Sequence, residues 1–281
     1  CSIGGIVTPI GTPPNLILLG FMQQNNIEPI AFIQWIFLTA PLALLMLIII
    51  PFILSLGLKE ITLDKEVQQK ENLLPSQKRL LYILGSLIVL LLINSKIEPF
   101  YSGLGLNETG ILLGYGLLMF VPKIGFLEWE DAKKIPYEII FLFGAGFTIA
   151  AAFSKTGLAS EVANYLLALA DFPVIFLIIL IASLITFTTE ITSNTALISI
   201  ALPIIYSLGQ VANVNMTLIL MVATICASYA FMLPIATPPN AIAMSSGAVK
   251  VKDMAKFGFF INIIGILAVT FIAMVYWQYY L

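Results

Sequence analysis

The sequence predicts an all-α integral membrane protein with an inverted internal repeat, broken helices and one re-entrant hairpin. Three observations carry that prediction. The first is composition. Of 281 residues, 60% are hydrophobic and only 10% charged, with a mean hydropathy of +1.03, whereas soluble domains carry about 25% charged residues. The second is run length. Several apolar stretches reach the ~20 residues that a helix needs to cross the ~30 Å hydrocarbon core, and the short alternating segments of a β-barrel are absent. The third is a repeat. Gly-Ile-Val-Thr-Pro-Ile-Gly-Thr-Pro-Pro-Asn at 5–15 returns as Ala-Phe-Met-Leu-Pro-Ile-Ala-Thr-Pro-Pro-Asn at 230–240. One offset of 225 positions pairs Asn15 with Asn240, Thr12 with Thr237, Pro9 with Pro234 and Cys1 with Cys226.

Each element follows from its local pattern. Residues 1–24 read as a helix interrupted at Thr12–Asn15, because proline removes a backbone donor and pushes the preceding residue out of the helical region. Residues 30–57 are one long apolar span, and 58–77 a charged loop between the repeats whose charges nearly cancel. Residues 78–95, 108–121 and 137–153 are further spans. The loop at 122–135 holds Glu128, Glu130, Asp131, Lys133 and Lys134, and Glu138 opens the next span at the interface. Gly144-Ala145-Gly146 lies inside a span and reads as a close helix contact rather than a phosphate loop. Residues 156–172, with Lys155, Glu161, Asn164 and Asp171 among leucines, suit a helix lying in the membrane interface. Two apolar arms, 173–192 and 195–209, flank Thr192-Ser193-Asn194-Thr195. The second arm is short for a full crossing, and lipid-facing polar groups cost several kcal/mol each, so a hairpin with a protein-buried tip is expected. Residues 216–248 form a span interrupted at Thr237–Asn240, and 256–281 the last span, ending in Tyr276, Trp277, Tyr279 and Tyr280 as an interfacial belt.

Charge placement sets the expected orientation. With the 58–79 segment inside, the inner segments hold Lys59, Lys65, Lys70, Lys78, Arg79, Lys123, Lys133, Lys134, Lys250, Lys252 and Lys256, leaving Lys96 and Lys155 outside. The positive-inside rule then puts the C-terminus outside. An odd number of crossings separates the two repeat copies, so they run in opposite directions, the arrangement common among secondary transporters. The sequence opens at Cys1 inside one copy of the repeat. This leads us to expect a piece of a longer protein, unable to transport by itself, with a second Ser-Asn-Thr hairpin near position −32.

Composition excludes several function classes. There is no His, hence no imidazole catalysis or imidazole metal ligation. No basic stripe invites nucleic acid, and the two cysteines read as apolar fillers. An intramembrane enzyme needs a nucleophile with a base, or a pair of acids, and Glu190 alone lies deep. Its carboxylate has two readings: a direct Na⁺ or proton role, or a bond to nearby backbone. A passive channel would also tolerate broken helices.

The oxygen chemistry points to a carrier. Thr188-Thr189-Glu190-Ile191-Thr192-Ser193-Asn194-Thr195 offers hydroxyl, amide and carbonyl oxygens, which suit a hard cation. Ser193, Asn194 and Thr195 also stand at the start of a helix, where free N–H groups and the dipole favour an anion. Capping of that helix by Ser193 is the plainer alternative.

These motifs together resemble the divalent anion:sodium symporter family. Thr189 to Ala196 followed by Pro203 resembles its Ser-Asn-Thr hairpin; Gly11 to Asn15 and Ala236 to Asn240 resemble its two unwound mid-membrane loops. The resemblance implies that Asn194, Thr195, Thr237 and Pro238 bind a substrate carboxylate, with Thr12 and Pro13 on the opposite side. It implies that Thr189, Thr192, Ser193, Asn194 and Ala236 give oxygens to one Na⁺, and Gly11 a carbonyl to another. It further implies a scaffold domain at 78–155, an interfacial arm at 156–172, a transport domain at 1–57 and 173–281, and a homodimer in the lipid bilayer. The function so implied is sodium-coupled symport of small divalent anions. C4-dicarboxylates such as succinate come first; sulfate, citrate and other oxyanions are alternatives.

Overall fold

The computed structural model describes residues 2–55, 73–96, 100–134, 137–165, 172–245, 247 and 249–281. Most of the 58–77 loop, Cys1, Asp171 and the second half of the expected interfacial helix lie outside them, as does the side chain of Glu138. Among the described residues every regular element is helical. In chain order these are α1 (Ser2–Gly5), α2 (Pro13–Gln24), α3 (Phe32–Ser55), α4 (Pro75–Asn94), α5 (Glu108–Leu118), α6 (Tyr137–Lys155), α7 (Leu158–Tyr165), α8 (Val174–Thr189), α9 (Asn194–Ala212), α10 (Met216–Cys226), α11 (Pro238–Ser245) and α12 (Val251–Ile272). A π-turn at Ala273–Trp277 carries α12 on to Tyr280. Among the described residues four segments are long and apolar enough to cross a membrane: Phe32–Ser55, Pro75–Asn94, Asn194–Ala212 and Val251–Tyr280. The structure is that of an all-helical protein with several apolar helices.

The chain forms two compact units. The smaller comprises Ala31–Gln34 and Leu58–Tyr137. Here α4 packs on α5, and their connection is closed by Asn94, whose amide nitrogen donates to the Leu106 carbonyl at 2.9 Å while its oxygen accepts the Leu106 N–H at 2.8 Å. Gly103 in that connection has φ +74°, and a Cβ there would collide with the Asn94 carbonyl. Arg79 donates to the Gly125 carbonyl. Glu128 and Asp131 sit in a surface turn, where Lys134 bonds Asp131 and holds its carboxyl below the usual range.

The larger unit comprises Cys1–Ile30, Trp35–Gly57 and Glu138–Leu281. Its centre is α10, in which every residue from Leu218 to Cys226 is buried. An all-round apolar helix is a core helix, and α8, α9, α2 and α12 pack around this one. Two fully buried tryptophans tie α3 into the unit. Trp35 Nε1 donates to the Ile6 carbonyl, and Trp277 Nε1 to that of Leu38. Gly146 on α6 faces Ser199 on α9 so closely that a Cβ would clash, whereas Gly144 meets nothing. The expected glycine contact is therefore made by Gly146 alone.

Two sequence expectations shift. The helix breaks do not fall at Thr12–Asn15 and Thr237–Asn240. They fall before these motifs, at 6–12 and 227–237, and Thr-Pro-Pro-Asn starts the following helix. The reason is that proline at the first helical positions costs nothing, since those N–H groups have no intrahelical partner. Thr12 is extended at φ −150°, ψ 145°, as a residue before proline prefers. The second arm is also longer than expected: α9 runs 19 residues, enough to cross by length.

Candidate functional site

The two unwound segments share the bonds made by their asparagines and by the turns before their prolines. Asn15 Nδ2 donates to the carbonyls of Gly5 and Thr8 at 3.3 and 2.9 Å; Asn240 Nδ2 donates to those of Ala230 and Leu233 at 2.9 and 3.0 Å. The Gly11 N–H reaches the Thr8 carbonyl, and the Ala236 N–H that of Leu233; Asn15 and Asn240 N–H reach Thr12 and Thr237 carbonyls. All partners differ by the same repeat offset. Unwinding strands carbonyls that a continuous helix would satisfy, and one amide at the start of the next helix satisfies two of them. The motif thus supplies prolines that start a helix and an asparagine that closes the loop behind it.

The turn between α8 and α9 completes the site. Ser193 is the N-cap of α9, though its hydroxyl lies 3.5 Å from the Ala196 N–H. Asn194 and Thr195 are the first helical residues, where backbone N–H groups lack intrahelical partners. Thr192 donates its hydroxyl proton to the Thr188 carbonyl within the turn.

These pieces surround one cavity of about 630 Å³ inside the larger unit, in the range of small-ligand sites. Gly11, Thr12 and Pro13 line one side, Ala236, Thr237 and Pro238 another, and Thr192, Ser193, Asn194 and Thr195 a third. Thr189 does not line it. It is fully buried and sits behind the tip, with its Oγ1 2.6 Å from Asn194 Oδ1 and 3.0 Å from the Ala227 carbonyl. No lining residue is charged.

Three helices, α2, α9 and α11, begin at the cavity wall. Their positive ends favour an anion. Two of them open with Pro-Pro and so bring a dipole without N–H donors; α9 brings both. The oxygen set also suits a cation. Thr189 Oγ1 has a single proton but faces two acceptors, so three oxygens meet with one hydrogen among them. Thr237 and Ser228 line the cavity, and their hydroxyl oxygens are buried with no hydrogen-bond partner. Orphaned polar atoms need an explanation, and a bound ligand in the neighbouring cavity is one. Among the described residues no cluster of three or more acidic, His or Cys side chains exists, which leaves neutral oxygens for a hard cation.

Ser228 escaped the sequence reading, as did Ser2, Gly5, Ile191 and Ile235 in the lining. Ser228 lies just beyond α10, outside the repeated eleven residues, and its repeat counterpart Ile3 is apolar. No periodic signal marked it. Glu190 takes the backbone-bonded arrangement: it is buried, and its carboxylate accepts the N–H groups of Phe231, Met232 and Leu233.

Comparison with known proteins accords with this geometry. The family described as "sodium:sulfate symporter transmembrane region" matches residues 1–281. A sodium-dependent dicarboxylate transporter of Staphylococcus saprophyticus is 30% identical over 96% of this chain and 56% of its own length. An uncharacterized transporter of Haemophilus influenzae is 32% identical over 98% of this chain and 60% of its own. A sodium-dependent dicarboxylate transporter of Staphylococcus aureus is 31% identical over 98% of this chain and 56% of its own. The chain therefore spans somewhat over half the length of these relatives. It belongs to the sodium:sulfate symporter family, the divalent anion:sodium symporters that its hairpin and unwound loops resemble.

Proposed function

We propose that this chain is part of a sodium-coupled symporter for small divalent anions, with C4-dicarboxylates such as succinate as substrates. The observation that carries the reading is the uncharged cavity where the two copies of an unwound loop and the tip between α8 and α9 meet. In it Asn194 and Thr195 bind one carboxylate through side chains and the N–H groups of α9. Thr237 and Pro238 support that contact, and Thr12 and Pro13 face the substrate from the other side. Thr189, Thr192, Ser193, Asn194 and Ala236 give oxygens to one Na⁺, with Thr189 reaching it from behind the tip; Gly11 gives a carbonyl to a second. Neutral walls suit co-binding, since each Na⁺ offsets charge that the protein does not.

Coupling follows from electrostatics. Moving one charge against the membrane potential costs about 2.3 kcal/mol per 100 mV. More than two Na⁺ per dianion would therefore let the inside-negative potential drive uptake. In this reading the repeats are inverted, α8 and α9 form a re-entrant hairpin, the C-terminus lies outside, and the protein works as a homodimer in the bilayer. Residues 78–155 act as scaffold and 156–172 as interfacial arm, against which 1–57 and 173–281 move. Transport without chemical conversion makes the chain no enzyme. The names of the staphylococcal relatives favour dicarboxylate, while the family description favours sulfate as the second reading. Uptake of radiolabelled succinate by the complete protein in proteoliposomes, under an inward Na⁺ gradient, is the test. Uptake that needs Na⁺ and resists excess sulfate is expected; Na⁺-independent uptake refutes the coupling, and full competition by sulfate favours the second reading.

A further inference from the structure

From the geometry around Glu190 we infer that Glu190, Gly258 and Asn262 form a clamp that fixes the second unwound segment against the tip between α8 and α9, and so sets the spacing of the proposed Na⁺ and carboxylate ligands. The inference deepens the transport reading and rests on it. Glu190 Oε1 accepts the N–H groups of Phe231 and Met232 at 2.7 and 2.9 Å and Asn262 Nδ2 at 2.7 Å; Oε2 accepts the Leu233 N–H at 3.0 Å. Three successive N–H groups converging on one carboxylate make an anion nest, here filled from within the chain. Unwinding frees these donors from the α10 ladder, and at bilayer depth each would be costly if left unpaired.

Two further contacts make this a clamp. On α12, Gly258 and Asn262 are one turn apart and share a face. A Cβ at Gly258 would collide with the backbone of Phe231 and Met232, so the unwound segment lies directly on α12 there. On the hairpin side, the neighbouring Thr189 holds the Ala227 carbonyl. Residues 189 and 190 thus grip both ends of 227–233. The gripped segment continues to Ala236 and Thr237 in the cavity wall, and the gripping residues 189 and 190 continue to Asn194. Glu190 and Asn262 themselves do not line the cavity, which makes them positioning residues. The first loop holds itself differently: the Ile6 and Val7 N–H groups bond to the carbonyls of Ile3 and Gly4, and Phe37 stands at the position equivalent to Asn262. The carboxylate clamp among the described residues therefore belongs to the second loop.

The test uses the complete protein, with Glu190→Gln and Asn262→Leu as variants. Gln keeps the shape but turns an NH₂ group toward at least one of the N–H donors. Hydrogen–deuterium exchange of the peptide spanning 231–233 is read alongside the Na⁺ concentration for half-maximal succinate uptake. We expect exchange to quicken about tenfold or more, as local opening becomes easier, and the half-activating Na⁺ concentration to rise several-fold, with membrane insertion unchanged. Unchanged exchange in both variants overturns the clamp. Faster exchange with unchanged Na⁺ activation overturns its role in setting the site. Unmodified protein that shows no Na⁺-dependent uptake refutes the transport reading, while the exchange result still decides the clamp.

Discussion

Asn15 and Asn240 each hold two carbonyls that unwinding has freed. Removing the amide by Asn240→Ala leaves the Ala230 carbonyl unpaired, while the Ala236 N–H still reaches that of Leu233, and a buried unpaired group costs about 1–3 kcal/mol. We therefore predict a loss of about 1–3 kcal/mol, read as a clear drop in unfolding temperature of the purified protein. Asn194→Ala instead removes the amide of a residue that lines the cavity. It should abolish Na⁺-coupled uptake while leaving insertion and unfolding temperature within the range of the unmodified protein. Normal uptake by that variant would remove Asn194 from the site. Thr-Pro-Pro-Asn and Ser-Asn-Thr were legible in the sequence because they are polar islands in apolar runs. Ser228 and the buried position of Thr189 were not, because one hydroxyl just past an apolar helix carries no period, and depth behind a turn is a matter of packing.

At the scale of elements, the repeat and its two interruptions could be read from proline alone, but not their exact limits. Proline forbids the middle of a helix and welcomes its start, and only the flanking backbone decides between these. In both copies the start prevails, so the break falls upstream of the motif's prolines, at 6–12 around Pro9 and Gly11 and at 227–237 around Pro234. Packing between helices shows the same limit. Gly144 and Gly146 look equivalent in sequence, yet only Gly146 meets Ser199. Gly146→Leu should cost about 1–3 kcal/mol through overpacking between α6 and α9, whereas Gly144→Ala should be neutral or slightly stabilising through helix propensity. Unfolding temperatures of the two variants check this, and equal destabilisation would contradict the assigned contact.

For the whole molecule, hydropathy established the class and the positive-inside pattern gave a proposed orientation. With the C-terminus outside, a cysteine at Lys133 should react with a membrane-impermeant maleimide only from the inner face, and one at Lys155 only from the outer face, in a background with Cys1 and Cys226 replaced. Labelling of both from one side would overturn that topology. What composition could not supply is how two distant segments and one turn come to share a cavity; that depends on α10 as a common core, which its uniformly apolar sequence signals only as burial. The central claim is that this uncharged cavity takes a dianion because Na⁺ binds beside it. Calorimetric titration of the complete, purified protein with succinate, in Na⁺ and again with choline replacing Na⁺, tests it directly. The account predicts binding in Na⁺ that disappears in choline and in Asn194→Ala. Equal affinity in both cations would contradict it.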